Sequence, residues 1–150
     1  TRLYVNELAM RPHNSGHWSM DGAVTGQFEQ HVRAVLDLPL GETTPRGAGV
    51  VMKNVLGGAR EDLHAGSVAA LAAHPQAKVH LYGKGVRPGR KVGHVNAYGS
   101  DRELVLARAR HAADFIAGVD PNPHPEMPAP AGVPATAPAR SGAADPDERA

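Results

Sequence analysis

The sequence contains no cysteine and few aromatic residues, and each shortage restricts what the chain can be. Without cysteine there is no disulfide framework and no thiolate chemistry, which fits a reducing compartment and leads us to expect a cytoplasmic protein. Aromatic residues make up only 4% of the chain, so a core must be built mainly from valine, leucine, isoleucine and alanine.

Long apolar runs and an excess of charge of one sign are missing as well. No uninterrupted apolar stretch is long enough to span a bilayer, and no basic leader precedes an apolar run. The formal net charge is +1, so bulk charge favours neither nucleic acid nor a membrane as a partner. With 41% hydrophobic and 21% charged residues among 150, the composition is that of an ordinary globular protein.

The first part of the chain, residues 1–40, is predicted to contain one strand and one helix. Leu3 to Leu8 alternates and begins with β-prone side chains, which predicts a short strand. Proline, asparagine, serine and glycine predict a loop over 10–22, and an apolar stripe at helical spacing predicts a helix over 23–37. Because the chain opens within a strand that no turn precedes, we expect it to be part of something longer.

The second part, residues 41–118, is predicted to be a small, mostly β unit that ends in a helix. A linker is followed by three strands and one short helix, namely a linker over 41–47, strands over 49–56, 78–82 and 91–98, and a helix over 67–73. Ser100 and Glu103 have the spacing of a capping box for the closing helix, and Gly118 is placed to end it. Since such a unit buries only a small core, we expect it to pack against another domain.

The composition changes after residue 118. Eight of the 13 prolines lie between Pro121 and Pro146, among alanine, glycine and serine and without an aromatic residue. Such a segment buries too little apolar surface to offset its ordering entropy, so residues 119–150 are predicted to be a disordered tail.

A dense group of polar residues lies at the end of the predicted first strand and in the loop after it: Asn6, Glu7, Arg11, His13 and Asn14. Carboxylate and amide oxygens are the hard ligands that Mg²⁺ takes alongside nucleotide phosphates, and a guanidinium fork suits a carboxylate or a phosphate. A polar turn without a ligand would show the same spacing. A zinc site at His13 and His17 has less support, because no third histidine or cysteine lies nearby.

A second group is the glycine-rich stretch over residues 83–91, here called the basic turn. It carries four cationic side chains and no acid: Lys84, Arg87, Arg90 and Lys91. Backbone amides of such a turn, together with lysine and arginine side chains, suit a phosphate monoester. A solvated hairpin turn fits the same residues, and no aromatic stacking platform is interleaved to favour nucleic acid.

Taken in order, these motifs closely resemble the 5-(carboxyamino)imidazole ribonucleotide synthases, also called the ATPase subunit of phosphoribosylaminoimidazole carboxylase. The stretches that carry the resemblance are residues 6–9, 11–17, 27–31, 38–41, 80–84 and 87–96. The similarity runs from about Leu3 to Phe115. Met10 departs from the pattern, since the family usually has proline there, and the proline-rich tail has no clear counterpart.

The resemblance implies a fold and an activity. Residues 1–40 would be the end of an ATP-grasp domain, residues 41–118 a small carboxyl-terminal domain with its closing helix, and the class α/β (α+β). The family uses ATP to carboxylate aminoimidazole ribonucleotide with bicarbonate in purine biosynthesis, through a carboxyphosphate-type intermediate. Its members are usually homodimers.

The resemblance also implies roles for the first polar group. Asn6 and Glu7 would contact ATP and Mg²⁺, and Arg11 would hold bicarbonate or carboxyphosphate. His13 and Asn14 would orient the reactants. The family's other metal-binding glutamate and its ATP-binding strands lie before the first residue here, so we expect the 150 residues alone not to be a competent ligase.

For the basic turn, the resemblance implies binding of the 5′-phosphate of the ribonucleotide. Lys84 and Arg90 are the first candidates, and Arg87 and Lys91 stand behind them. No partner other than the small-molecule substrates and a second copy of the enzyme is implied.

Two other functions stay open. Formate-dependent glycinamide ribonucleotide transformylase, a sister ATP-grasp enzyme, has a related Arg-Pro-His loop, but Asp-Thr-Gly usually follows where this chain has Asn14-Ser15-Gly16. The other possibility is a non-catalytic remnant that binds a phosphorylated ligand.

Overall fold

The computed structural model describes residues 2–119, so the predicted tail lies outside the described residues except for Val119. The elements in chain order are a 3₁₀ turn (Asn14–Gly16), α1 (Ser19–Gly22), α2 (Gln27–Val35), β1 (Gly49–Leu56), α3 (Leu63–Ala73), β2 (Lys78–Leu81), β3 (Lys91–Gly99) and α4 (Arg102–Ala117). This mixture of helices and strands confirms the predicted α/β (α+β) class. Within the described range, no helix combines the length and the apolar character needed to cross a membrane.

The strands form one antiparallel sheet in the order β1-β3-β2. β3 is the central strand, because it pairs with β1 along its whole length and with β2 from Lys78↔Asn96 to Leu81↔Gly93. A strand with neighbours on both edges is shielded from solvent, and the side chains from Val92 to Ala97 are all buried. Two polar residues of β3, His94 and Asn96, are therefore inside the protein.

Helices α3 and α4 complete the core. α4 packs against β1 and β3, and α3 packs against α4. The largest apolar side chains between them, Val55, Val92, Val95 and Ile116, have no exposed surface, and alanines fill the rest. Full burial of each such aliphatic side chain contributes about 1.5–3 kcal/mol, so mainly aliphatic side chains hold the sheet in place, with Phe115 of α4 packed against them.

The segment before the loop differs from its prediction. Residues 2–9 form no strand, and Leu3, Tyr4, Val5 and Leu8 are 80–95% exposed. A strand needs a neighbour to satisfy its backbone groups, and none of the three strands within residues 2–119 pairs with this segment. The predicted strand over 3–8 is therefore wrong for the described structure.

The predicted loop over 10–22 contains the 3₁₀ turn and α1, and the helix predicted from residue 23 begins only at Gln27. Residues 23–25 instead lie extended against the linker. The amides of Val24 and Thr25 donate to the carbonyls of Thr44 and Glu42, each at 3.0 Å. Pairing with a segment about twenty positions away has overridden the local helical pattern.

The helices of the second part are confirmed with shifted starts. α3 begins at Leu63 rather than 67, because Asp62 caps it by accepting from the amide of Ala65 at 3.0 Å. α4 is capped by Asp101 and not by Ser100. Gly118 ends α4 in the predicted left-handed conformation, with φ 74°.

Candidate active site

His13 lies at the centre of the loop over residues 11–17. Its Nε2 is 2.8 Å from Glu7 Oε1, and its Nδ1 is 2.8 Å from Ser15 Oγ. Because both ring nitrogens have polar partners, the orientation of the imidazole is defined. The structure thus brings together one carboxylate and one imidazole of the group predicted from sequence.

Asn6, Glu7 and His13 line one open cleft of about 380 Å³. The amide and carboxylate oxygens of Asn6 and Glu7 fit the hard-ligand preference of Mg²⁺, and a carboxylate can accept at both oxygens, so Glu7 can contact His13 and a cation together. No group of three His, Cys, Asp or Glu side chains suited to a metal ion occurs within residues 2–119. The described residues therefore give no support to a zinc site at His13 and His17. His17 Nδ1 instead lies 2.6 Å from Gln27 Nε2.

Asn14 connects the loop to the sheet and to the basic turn. Its Nδ2 donates to Oδ1 of Asn54 on β1 at 3.0 Å, and its Oδ1 accepts from Lys91 Nζ at 3.4 Å. Burial raises the pKa of the Tyr82 phenol, and a hydrogen bond with the Asn14 side chain opposes that shift. Two groups of residues that are far apart in sequence therefore meet at Asn14.

The basic turn is attached to the end of β1 through its backbone. The amide of Gly89 donates to the carbonyl of Gly57 at 3.0 Å, and the amide of Gly57 donates to the carbonyl of Arg90 at 2.7 Å. Gly83 and Gly89 have φ values of 64° and 72°, which side-chain-bearing residues rarely adopt. The turn thus depends on glycine for its shape and holds its cations in a defined place.

The four cationic side chains of the basic turn are exposed. Lys84 Nζ lies 5.4 Å from the centroid of the Tyr82 ring, and Arg90 Nη1 donates to the carbonyl of Gly85 at 3.2 Å. Within residues 2–119, none of these cations forms a salt bridge with a carboxylate. Exposed cations without acidic partners are suited to an anionic ligand.

Arg11 lies outside these contacts. Its guanidinium donates to the carbonyl of Pro12 at 3.1 Å, and it borders a second, larger cleft of about 790 Å³ between the loop and α2. The described structure therefore brings Asn6, Glu7 and His13 together at one cleft and brings Asn14 near Lys91, while Arg11 contacts none of them through a hydrogen bond.

A row of stacked rings beneath the loop was not predicted from the sequence. Successive ring centroids are 5.6 Å, 5.0 Å and 4.6 Å apart in the order Phe28, His17, His94, His80. Burial, followed by the charges of His80 and His17, lowers the pKa of His94 to about 4. Burial is also the main reason why the pKa of His17 is lowered, so both rings are neutral at pH 7.

Asp21 closes the same contact region from α1. Its Oδ2 lies 2.7 Å from His80 Nε2 and accepts from Asn96 Nδ2 at 2.7 Å, and Asn96 also donates to the carbonyl of His17 at 2.9 Å. These contacts join the loop and α1 to the sheet. No local pattern signals them, since the partners are separated by 59 to 79 positions in the chain.

Comparisons with known proteins agree on one family. The family model of the phosphoribosylaminoimidazole carboxylase C-terminal domain matches residues 50–108, and that of the ATP-grasp domain matches residues 1–28. The N5-carboxyaminoimidazole ribonucleotide synthase of Mycobacterium tuberculosis is 50% identical over an alignment that covers 98% of this chain and 35% of that protein. The enzyme of the same name from Corynebacterium ammoniagenes is 56% identical over 76% of this chain and 28% of its own length.

Solved structures show the same similarity. The phosphoribosylaminoimidazole carboxylase ATPase subunit of Aquifex aeolicus is 39% identical with a TM-score of 0.63, covering 77% of this chain and 34% of that one. The N5-carboxyaminoimidazole synthase of Aspergillus clavatus, solved with ADP and 5-aminoimidazole ribonucleotide, is 35% identical with a TM-score of 0.56 over 71% of this chain and 29% of its own. This chain spans about a third of the length of the curated relatives that it matches.

Proposed function

Because the chain belongs to the N5-carboxyaminoimidazole ribonucleotide synthase family, we propose that it forms the carboxyl-terminal part of an enzyme that uses ATP to carboxylate 5-aminoimidazole ribonucleotide with bicarbonate. The observation that carries the proposal is the contact of the loop with the basic turn, where Asn14 accepts from Lys91. A reaction between an activated carboxyl group and a phosphorylated amine requires both binding regions to lie side by side.

In the proposed reaction, an oxygen of bicarbonate attacks the terminal phosphorus of ATP, which releases ADP and forms carboxyphosphate. The amine of the ribonucleotide then attacks the carbon of carboxyphosphate, loses a proton and displaces phosphate. Arg11 is proposed to hold the bicarbonate or carboxyphosphate, because a guanidinium fork matches two oxygens of a planar or tetrahedral anion. His13 and Asn14 orient the reactants, and the fixed ring of His13 supports that role.

The basic turn is proposed to bind the 5′-phosphate of the ribonucleotide. Lys84 and Arg90 contribute first and Arg87 and Lys91 second, and the exposure of all four without acidic partners in the described range supports this assignment. Lys91 also reaches the reacting loop through Asn14. It can therefore couple phosphate binding to the position of Asn14.

ATP is proposed to bind against Asn6 and Glu7. Their oxygens would hold a Mg²⁺ ion, which when bound offsets the negative charge of the phosphates during phosphoryl transfer. The family resemblance adds a homodimeric assembly and a cytoplasmic location to the proposal. Sedimentation of the full-length enzyme tests the assembly.

The test is phosphate release from ATP by the full-length enzyme, measured with and without aminoimidazole ribonucleotide and bicarbonate. We expect release that requires the ribonucleotide and falls at least about 100-fold in Glu7→Gln, since a metal-binding carboxylate is lost. Release that instead requires glycinamide ribonucleotide and formate would assign the chain to the sister transformylase. Phosphate binding without any stimulated release would leave the non-catalytic alternative, and residues 1–150 expressed alone are expected to be inactive.

A further inference from the structure

The first turn of α2 carries two glutamines that make the same contact with different partners. Gln27 Oε1 accepts from the amide of His13 at 3.0 Å, and Gln27 Nε2 donates to the carbonyl of His13 at 2.8 Å. Gln30 pairs in the same way with Gly41, at 2.9 Å and 2.7 Å. A side-chain amide that satisfies both backbone groups of one residue fixes the position and the direction of that residue.

Gln27 makes further contacts with the loop that Gln30 does not make. Its Nε2 lies 2.6 Å from His17 Nδ1, which burial keeps neutral by lowering the pKa of that ring, so the nitrogen can accept from the amide. Ser19 Oγ accepts from the amide of Gln27 at 2.9 Å and donates to the carbonyl of Gly16 at 2.6 Å. Gln27 is thus connected to the start, the middle and the end of the turn that carries His13.

Gly16 provides the space for this arrangement. A Cβ atom added at residue 16 would overlap the Oε1 atom of Gln27 and lie 2.8 Å from its Cδ. The obstructing atoms are the far end of a flexible side chain, so an alanine there would displace the amide and leave the backbone in place. The loop and the glutamine therefore fit each other only with glycine at this position.

We propose that Gln27 is a positioning residue, which holds the backbone of His13 in the place from which its imidazole meets Glu7 and the reactants. The inference rests on the proposed function, in which His13 orients the reactants, and adds to it a residue that acts through His13. Gln27 needs no reactive group for this role, because it acts only through its hydrogen bonds to the loop.

The test compares Gln27→Met with Gln30→Met in the full-length enzyme. Both substitutions keep the length of the side chain and remove the same pair of backbone contacts, but only Gln27 holds the reacting loop. We expect Gln27→Met to lower kcat by about tenfold to 100-fold, with KM for ATP, bicarbonate and the ribonucleotide each changed less than about twofold, because small misplacements at a reacting centre act mainly on kcat. Gln30→Met should keep kcat within about twofold of the wild type.

Two further variants sharpen the comparison. Gly16→Ala should lower kcat by a similar factor. Combining it with Gln27→Met should lower kcat little further, since both substitutions disrupt the same contact between the Gln27 side chain and the loop. Gln27→Glu keeps the acceptor for the amide of His13 and loses the donors, so its kcat should lie between those of the wild type and Gln27→Met. Equal losses of kcat in Gln27→Met and Gln30→Met would overturn the proposal, because α2 would then act through stability alone.

Hydrogen exchange separates this inference from the proposed function. Protection of the amides of residues 13–16 should fall in Gln27→Met and persist in Gln30→Met, whether or not the enzyme turns over. If the wild type shows no release stimulated by the ribonucleotide, the proposed function fails, and the loss of protection still supports the positioning of His13. Unchanged protection in Gln27→Met overturns the inference by itself.

Discussion

At the scale of single side chains, Asn14 takes its orientation from the sheet. An asparagine amide can turn by half a rotation and exchange its donor for its acceptor. Lys91 is only a donor, so it requires the oxygen of Asn14, while Asn54 Oδ1 accepts from the nitrogen at 3.0 Å. Lys91 therefore favours the rotamer in which the Asn14 carbonyl oxygen faces the basic turn, and the hydrogen bond with Asn54 holds the amide in that place.

Asn54→Leu is expected to lower kcat about fivefold, which corresponds to the loss of about 1 kcal/mol from one hydrogen bond. Steady-state phosphate release by the full-length enzyme measures this change. Asn54→Asp is the control, because a carboxylate still accepts from the Asn14 amide, and most of the activity should remain. Full activity in Asn54→Leu would show that Asn14 is held by other contacts.

The residues that could be named from the sequence are those whose chemical groups are informative without a partner. Glu7, His13 and Lys91 stood out because carboxylates, imidazoles and cations were concentrated in short stretches. Gln27 and Asn54 could not be assigned a role, because an amide on a helix or strand resembles any polar surface residue until its partner is known. Their roles arise from contacts across 14 and 40 positions.

At the scale of helices and strands, the predictions that rest on local signals were confirmed, and those that depend on a distant partner were not. β1 has the predicted bounds Gly49–Leu56, and its β-prone valines and the glycines after it are local signals. The start of α2 was wrong, because the backbone of residues 23–25 bonds to the linker and no local signal indicates that pairing. The predicted strand over 3–8 has β-prone side chains, but none of the described strands pairs with it.

The cap of α4 gives a direct test at this scale. Asp101 Oδ1 accepts from the amides of Glu103 and Leu104 at 2.9 Å and 3.0 Å, whereas the predicted capping box assigned this role to Ser100. Asp101→Ala should lower the free energy of unfolding by about 1 kcal/mol, and Ser100→Ala by less than about 0.5 kcal/mol. Urea unfolding followed by far-UV circular dichroism measures both. A larger loss in Ser100→Ala than in Asp101→Ala would restore the capping box.

At the scale of the whole molecule, the two parts of the chain are joined largely by polar contacts. Asn14 bonds to Asn54, Asp21 contacts both His80 and Asn96, and the stacked rings lie between them. Directional polar contacts of this kind fix a geometry more strictly than apolar packing does, because each donor must meet its acceptor. The proposed site is therefore assembled only when the first part of the chain docks on the sheet.

Buried histidines make this assembly sensitive to acid. His74 Nε2 lies 2.6 Å from His111 Nδ1 between α3 and α4, and His94 is buried beneath the loop. Burial, followed by the charges of His111 and Arg108, lowers the pKa of His74 to about 4. Burial also lowers the pKa of His111, against the opposing effect of the Asp114 carboxylate. Each of these rings is thus held neutral in the folded state over a range where a histidine in water would be charged.

The sign of the pH dependence follows from these directions. Below about pH 6.5 the unfolded chain takes up protons at these histidines, while folded His74 and His94 stay neutral down to a pKa of about 4. The free energy of unfolding should therefore be unaffected by the titration of these histidines above about pH 6.5 and should decrease as the pH falls towards 4. Urea unfolding at a series of pH values between 7.5 and 4.5 measures the slope. His74→Leu should reduce that slope. The control His64→Leu, which removes an exposed histidine of α3, should leave the slope unchanged. Equal slopes in the wild type and His74→Leu would contradict the prediction.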